Sequence, residues 1–315
     1  MKLKFWGVRG SVTTPLRPDE YVKKIKEVLN IAAESGLSKE SDIELFFKNL
    51  PKYLQTTYGG NTSCVAVSDD ETILILDAGT GIRELGYEIM KNSPSGKNFT
   101  ELNILLTHLH LDHINGLPFF APVHFKESRI NFYSHHQDFE KALSLQQNND
   151  FFPVTLESRP SKMSFRQLTE DEVLKLGNFT VTSKKMNHPN ASFSYAITSG
   201  EKKIVYATDA EYTTRSVINE YTAFFSGADI LIFDSQYNFN ELAKRYSFGH
   251  STAEIGVDAA VGSNVKKLLL FHHNHDNNDE EIFKMLLSSK KYLTEKYPGS
   301  KLDIVISNEG MEFNL

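Results

Sequence analysis

Within six residues, His108-Leu109-His110-Leu111-Asp112-His113 gathers three imidazoles and a carboxylate. The segment follows an apolar run at 102–106, broken only by Asn103, and precedes Gly116-Leu117-Pro118. Imidazole is a borderline ligand that suits zinc and iron, and carboxylate oxygen suits harder ions, so a mixed set can hold two ions side by side. Where a strand gives way to a loop, His108 and His110 can point one way while Asp112 and His113 reach a second point nearby. A surface cluster of histidines is the alternative, and the apolar strand in front of it argues against that.

Other chemistry-bearing residues stand at the ends of apolar runs. His188 closes Lys185-Met186-Asn187 and precedes Pro189, and His250 lies in Gly249-His250-Ser251-Thr252. His272, His273 and His275 follow an apolar strand; successive strand residues face opposite sides, so only one of the first two can point into a site. Asp209 stands just past 204–208, where an acid can also cap a helix. Asp77 in Leu76-Asp77-Ala78-Gly79 is placed to orient ligands from behind, over a tight turn that Gly79 and Gly81 permit. Asn61 lies in a glycine-rich turn, to contact a ligand or bond backbone. His124, His135 and His136 have no motif around them and read as structural or surface residues.

The elements that must position these groups alternate along the chain. Residues 2–8 read as a strand closed by Gly7 and Gly10. In 19–54, Tyr21, Val22, Ile25, Val28, Leu29 and Ala32 recur at three and four, an amphipathic helix begun near Pro18 or Asp19 and ended by Gly36. A second helix is expected at 42–50, stopped by Pro51. This block interrupts two strand regions and reads as a helical insertion of about residues 18–56, covering the site mouth or padding a sheet edge. A hairpin is expected at 62–68 and 72–77, a helix at 81–90, strands at 102–107 and 130–134, a helix at 137–147, and a strand pair within 164–183. A second hairpin joins 193–198 to 204–208 through Ser199-Gly200-Glu201-Lys202. A buried strand at 230–233, a helix at 252–261, a strand at 267–271, a helix at 279–297 and a strand at 302–307 complete the pattern. The alternation, without linker or repeat, suggests one layered α/β domain over residues 1–315.

A chain of 315 residues can bury one large core. Its 40% hydrophobic and 23% charged residues are ordinary for a soluble globular protein. A net charge of −6 argues against a broad phosphate-tracking surface, but leaves room for a small anionic substrate. The single cysteine, Cys64, excludes an intramolecular disulfide, fits a reducing compartment and reads as a small core residue. The first residues lack the apolar core of a secretory signal, and no stretch approaches the roughly 20 apolar residues of a membrane span. A soluble cytoplasmic protein without a membrane partner is expected.

Together with Phe5-Trp6-Gly7-Val8-Arg9-Gly10-Ser11, Tyr58-Gly59-Gly60-Asn61-Thr62-Ser63-Cys64, Leu76-Asp77-Ala78-Gly79-Thr80-Gly81, Ala207-Thr208-Asp209-Ala210 and Leu270-Phe271-His272-His273, these motifs resemble the metallo-β-lactamase superfamily. The branch is that of the transfer-RNA 3′-processing endonucleases and cyclic-nucleotide phosphodiesterases. The resemblance implies a four-layer αββα sandwich, with two divalent cations at one edge between the sheets: zinc or manganese, with iron as an option. It assigns His108, His110 and His188 to one cation, and Asp112, His113 and His272 to the other. Asp209 lies between them, and His272 is preferred over His273 because relatives use the first histidine after the strand. The metals and Asp112 would generate a bridging hydroxide nucleophile. His250 would assist the leaving group beside Asp234, which stands where the family usually has Glu; otherwise His250 is a helix-capping turn residue.

The function so implied is a binuclear metal-dependent phosphodiesterase of small molecules, plausibly 3′,5′-cyclic nucleotides. A transfer-RNA 3′ endonuclease should carry a glycine- and basic-rich arm. Residues 131–170 are instead aromatic and polar, with Phe151-Phe152-Pro153, so RNA is the less favoured partner. A lactonase, thioesterase or β-lactamase is a further alternative, against which the His-Ser-Thr element speaks. An oxidative di-iron enzyme would usually have Glu in place of His110, and a metal-free scaffold would have lost ligands. Homodimers are common in such relatives, although no residue here demonstrates one.

Overall fold

A computed structural model describes residues 1–37, 42–92, 101–212 and 215–315. In chain order, β1 (Lys2–Gly7) is followed by α1 (Pro18–Ser35), α2 (Ile43–Asn49) and α3 (Lys52–Gln55). Next come β2 (Cys64–Ser68), β3 (Ile73–Leu76), α4 (Ile82–Asn92), β4 (Glu101–Leu105), α5 (Leu111–Ile114), β5 (Arg129–Ser134), α6 (Phe139–Gln146) and β6 (Lys162–Gln167). The second half runs β7 (Leu174–Leu176), β8 (Phe179–Met186), β9 (Ser192–Ser199), β10 (Lys202–Ala207), α7 (Arg215–Phe225), β11 (Ile230–Asp234) and α8 (Phe239–Lys244). It ends with α9 (Ala253–Gly262), β12 (Lys267–Phe271), α10 (Asp279–Lys296), β13 (Asp303–Ile306) and β14 (Glu312–Asn314).

The strands form two mixed sheets, ordered β14-β1-β2-β3-β4-β5-β6 and β13-β12-β11-β10-β9-β8-β7. Their pairing explains the composition of the central strands. Successive side chains of a strand face opposite sides, and a strand covered on both faces must be apolar throughout. Ile204, Tyr206, Ile230, Ile232, Leu269 and Phe271 pack between the sheets against Leu3, Phe5, Val65 and Leu76. Their neighbours Val205, Ala207, Leu231, Phe233, Leu268 and Leu270 face outward, onto Val257, Ala260 and Ile282 of α9 and α10. On the other outer face, Ile75 and Ile104 meet Ile82, Leu85 and Ile89 of α4 and Leu143 of α6. The expected layering of helices on two stacked sheets is therefore present, and burying each of these large side chains contributes about 1.5–3 kcal/mol.

Several expectations need correction. The strand pair within 164–183 is split between sheets. β6 runs parallel to β5, while β7 and β8 pair antiparallel in the other sheet. The reason is packing: Phe165 stacks on Phe132 outside the first sheet, with ring centroids 5.0 Å apart, whereas Val181 points into the space between the sheets. Helices α7 and α8 were not anticipated. The capping box of Asn238 and Glu241 marks α8, but six residues offer too little periodicity to read.

The insertion forms as α1–α3, with its residues 38–41 outside those described. Its apolar stripe is not buried as an amphipathic pattern would suggest: Tyr21, Val22, Ile25 and Leu29 are exposed. Polar contacts tether it instead. Lys24 pairs with Asp279 at the start of α10 and donates to the Thr56 carbonyl at 2.9 Å, and Tyr53 bonds Glu27 while its ring packs on Phe283. Among the described residues no helix is long and apolar enough to cross a membrane.

Candidate metal centre

Three strand ends and one turn build the site. β4 runs out at Leu105, and α5 begins after His110 as a single helical turn that carries Asp112 and His113 inward. His188 follows β8, Asp209 follows β10 and His272 follows β12. Asp77, Asp209 and His272 take φ of +61°, +51° and +59°, a left-handed conformation uncommon for non-glycine residues.

His108, His110 and His188 bring one ring nitrogen each within 4.8 Å of one another. The outer nitrogen of each buried ring is held. His108 Nδ1 lies 3.1 Å from Thr107 Oγ1, and His188 Nδ1 donates to the Gly249 carbonyl at 2.9 Å. Gly249 has φ +85°, and a Cβ there would sit 1.9 Å from His188 Nδ1, so both the turn and the contact require glycine. Burial pushes the His188 pKa down to about 4 and that of His108 well below its usual range, so both rings keep free lone pairs at neutral pH.

Asp112, His113, Asp209 and His272 form a second group on the same criterion. Asp209 Oδ1 is 3.3 Å from both His113 Nε2 and His272 Nε2, while its Oδ2 is 3.7 Å from His108 Nε2. One carboxylate thus reaches both groups. Asp112 Oδ2 lies 3.3 Å from His113 Nε2 and 3.2 Å from His272 Nε2, and accepts the Ser11 backbone N–H at 2.7 Å. His273 turns the other way, with Nε2 on the Ser307 carbonyl at 2.8 Å.

The charges follow from this crowding. Burial opposes protonation of His113 and His272, but Asp209 and Asp112 outweigh it, raising His113 well above its usual value and His272 to about 9. Burial likewise opposes ionisation of Asp112 and Asp209, yet the facing imidazoles hold both carboxyls below the ordinary carboxylate range.

A third group overlaps the second. His250 Nδ1 donates to Asp234 Oδ2 at 2.9 Å and lies 3.9 Å from Asp209 Oδ2. Its ring stacks on His272 at 5.1 Å between centroids and meets His188 edge-on at 5.6 Å. His250 therefore spans the two clusters.

The residues present suit a pair of divalent ions. His108 Nε2 is buried without a hydrogen-bond partner, and such an atom costs about 1–3 kcal/mol unless something else satisfies it. Coordination would do so, and the mixed nitrogen and oxygen set accepts zinc, manganese or iron. Behind the site, the buried Asp77 accepts from His113 Nδ1 at 2.7 Å, from Thr107 N at 2.8 Å and from the Tyr206 hydroxyl at 3.0 Å. A carboxylate on the far nitrogen of a metal-binding histidine fixes the ring and raises its basicity. Asp77→Asn is expected to weaken metal binding about 10–100-fold, as read by competition with a chelator. Unchanged affinity would restrict Asp77 to a folding role.

His273 yields a prediction about pH. Burial, helped by Arg9, pushes its pKa down to about 3, so the folded state holds it neutral. The unfolded chain takes up that proton below about 6.5. Its contribution to stability is complete above that pH and is lost as pH falls toward 3, on the order of 5 kcal/mol in all. Thermal melts of metal-free protein should fall in Tm from pH 7 to pH 4, with a shallower slope in His273→Gln. An identical slope would assign the acid sensitivity elsewhere.

The residues assigned to the two cations, with His250 and Asp234, lie together in these groups, and His124, His135 and His136, for which no such role was expected, lie outside them. Asn61 donates to Glu309 and does not enter the clusters. Sequence reasoning missed Thr107, Ser11, Tyr206 and the Gly249 carbonyl, because a backbone N–H or a hydroxyl behind a ligand leaves no spacing to recognise. It also passed over Arg9, which is buried and donates to the carbonyls of Gly59, Asn274 and Asn277, clamping the N-terminal turn to the loop after His273.

A family model described as the beta-lactamase superfamily domain matches residues 72–273. A protein of Bacillus subtilis named probable metallo-hydrolase YhfI is 27% identical over 157 residues, 47% of this chain and 55% of that relative. Ribonuclease Z of Limosilactobacillus fermentum is 36% identical over 102 residues, 30% of each protein. The chain thus spans 55% and 30% of these two relatives. Across 99% of this chain and 98% of its own, the crystal structure of YhfI superposes with a TM-score of 0.63 at 18% identity. Unliganded yeast PDE1 does so with a TM-score of 0.66 at 13% identity, covering 100% and 99%. At these identities the structural likenesses show the fold.

Proposed function

Because this chain belongs to the metallo-β-lactamase superfamily, we propose that it is a two-metal phosphodiesterase acting on small phosphodiesters, with 3′,5′-cyclic nucleotides as the substrate class. The observation that carries this reading is the His250–Asp234 pair, 2.9 Å apart and in contact with both clusters. His108, His110 and His188 would hold one cation and Asp112, His113 and His272 the other, with Asp209 reaching both. When bound, such a pair supplies positive charge that polarises the phosphate and acidifies water.

The protein's own groups supply the rest. Asp234 accepts a hydrogen bond from His250 Nδ1–H and fixes the ring so that Nε2 is left for the substrate. Acting as the general acid, His250 passes an Nε2 proton to the departing oxygen as its bond to phosphorus breaks. A phosphodiester with an alkoxide leaving group needs that proton. Ser11 N–H and Asp77 keep Asp112 and His113 in place throughout. The net charge of −6 favours a small substrate over a long nucleic acid.

The test is hydrolysis of 3′,5′-cyclic AMP by manganese- or zinc-loaded protein, with the product identified by chromatography. AMP is expected, and Asp112→Ala should abolish it. No product from protein that holds two metals would overturn the cyclic-nucleotide reading. Precursor transfer RNA would then come next, given the similarity to a ribonuclease Z.

A further inference from the structure

A neutral imidazole carries a proton on one nitrogen only. For His272 Nε2 to face a cation beside Asp112 and Asp209, Nδ1 must carry the proton, and that N–H is buried without a hydrogen-bond partner. Metal-binding histidines nearly always place this second N–H on an acceptor. Two acceptors are near. Asp234 Oδ1 is 4.0 Å away, beyond bonding distance, and already accepts the Gln236 backbone N–H at 2.9 Å; its partner Oδ2 is committed to His250. The other is the side-chain carbonyl of Gln236, buried and itself without a partner.

Gly10 brings these two unpaired atoms together. A Cβ on Gly10 would stand 2.5 Å from His272 Nδ1 and 2.9 Å from Gln236 Oε1, so they flank the same bare Cα. The amide nitrogen of Gln236 donates to Ser11 Oγ at 3.2 Å, and Ser11 N–H in turn holds Asp112 Oδ2 at 2.7 Å. This orientation of the amide is the one that leaves its carbonyl for His272.

We propose that Gln236 is a positioning residue for the second metal position: its carbonyl accepts the His272 Nδ1 proton, directly or through one water, while its amide nitrogen steadies the Ser11 turn that holds Asp112. One side chain thus supports two of the groups assigned to the same cation. The inference rests on the two-metal reading above and goes beyond it, because no substrate is involved. The short side chain of Asp234 serves His250 and stops short of His272, leaving that duty to Gln236.

The experiment is zinc retention by purified protein dialysed against graded chelator, with metal counted by mass spectrometry and folding checked by circular dichroism. Gln236→Leu is expected to lose one of two zinc ions about 10–100-fold more readily than wild type, with the other unaffected. Gln236→Glu keeps an acceptor at Oε and should restore retention toward wild type. A merely structural role would weaken both ions alike and would not be rescued by Glu. Folded Gln236→Leu that holds both ions as tightly as wild type would overturn the proposal. A wild-type protein that takes up only one zinc would overturn the two-metal reading itself, and this inference with it, whatever the variants do.

Discussion

Asp209→Ala is expected to strip metal from both clusters and abolish turnover together. Its carboxylate approaches His113 and His272 at 3.3 Å through one oxygen and His108 at 3.7 Å through the other, so this one carboxylate reaches both groups. Loss of an outer partner of a metal ligand typically costs 10–100-fold in affinity, so removal of the group shared by both positions should cost more than about 100-fold at each. The variant also leaves His113 and His272 without the carboxylate that most strongly favours their protonated forms in the metal-free protein. Metal content and activity measured on the same preparation decide the matter. Two tightly held metals in folded Asp209→Ala would remove the residue from the centre.

The second large effect separates chemistry from metal binding. His250→Ala should retain both metals and slow hydrolysis of a cyclic nucleotide by roughly 10²–10⁴-fold, the usual scale for a positioned general acid. Asp234→Asn should move in the same direction by less, because the imidazole survives but loses the carboxylate that fixes its ring at 2.9 Å. The leaving group provides the control. A p-nitrophenyl phosphodiester departs without needing a proton, so its hydrolysis should fall far less in His250→Ala than that of a ribose ester. Equal losses for both substrates would show that His250 shapes the site rather than donating a proton. Undiminished turnover would remove it from the mechanism.

Much of this candidate centre was legible because its candidate ligands sit at sequence punctuation. His108, His110, Asp112 and His113 are nearly contiguous, and Asp209 and His272 each follow a strand whose apolar run is unmistakable. Both faces of β10–β12 are covered, which makes those runs continuous and the strands easy to find. The choice between His272 and His273 was only half legible. Alternation says that one faces inward, but which one depends on the left-handed turn at His272 and on the Ser307 carbonyl waiting for His273. The insertion shows the opposite failure. Its period of three and four correctly signals a helix in α1, but not what the apolar stripe meets, and that stripe stays exposed while lysines and Tyr53 make the attachments.

By itself, the sequence determined which imidazoles and carboxylates are candidate ligands, the alternation of strands and helices, and the superfamily. These follow from local periodicity and short motifs, which act over a few residues. Only the tertiary structure decided what stands behind the ligands: Ser11 on Asp112 across 101 positions, Gln236 on Ser11 across 225, and the Gly249 carbonyl on His188 across 61. Such contacts use backbone groups and generic polar side chains. Their identity carries no chemistry until two stacked sheets bring distant strand ends to one edge.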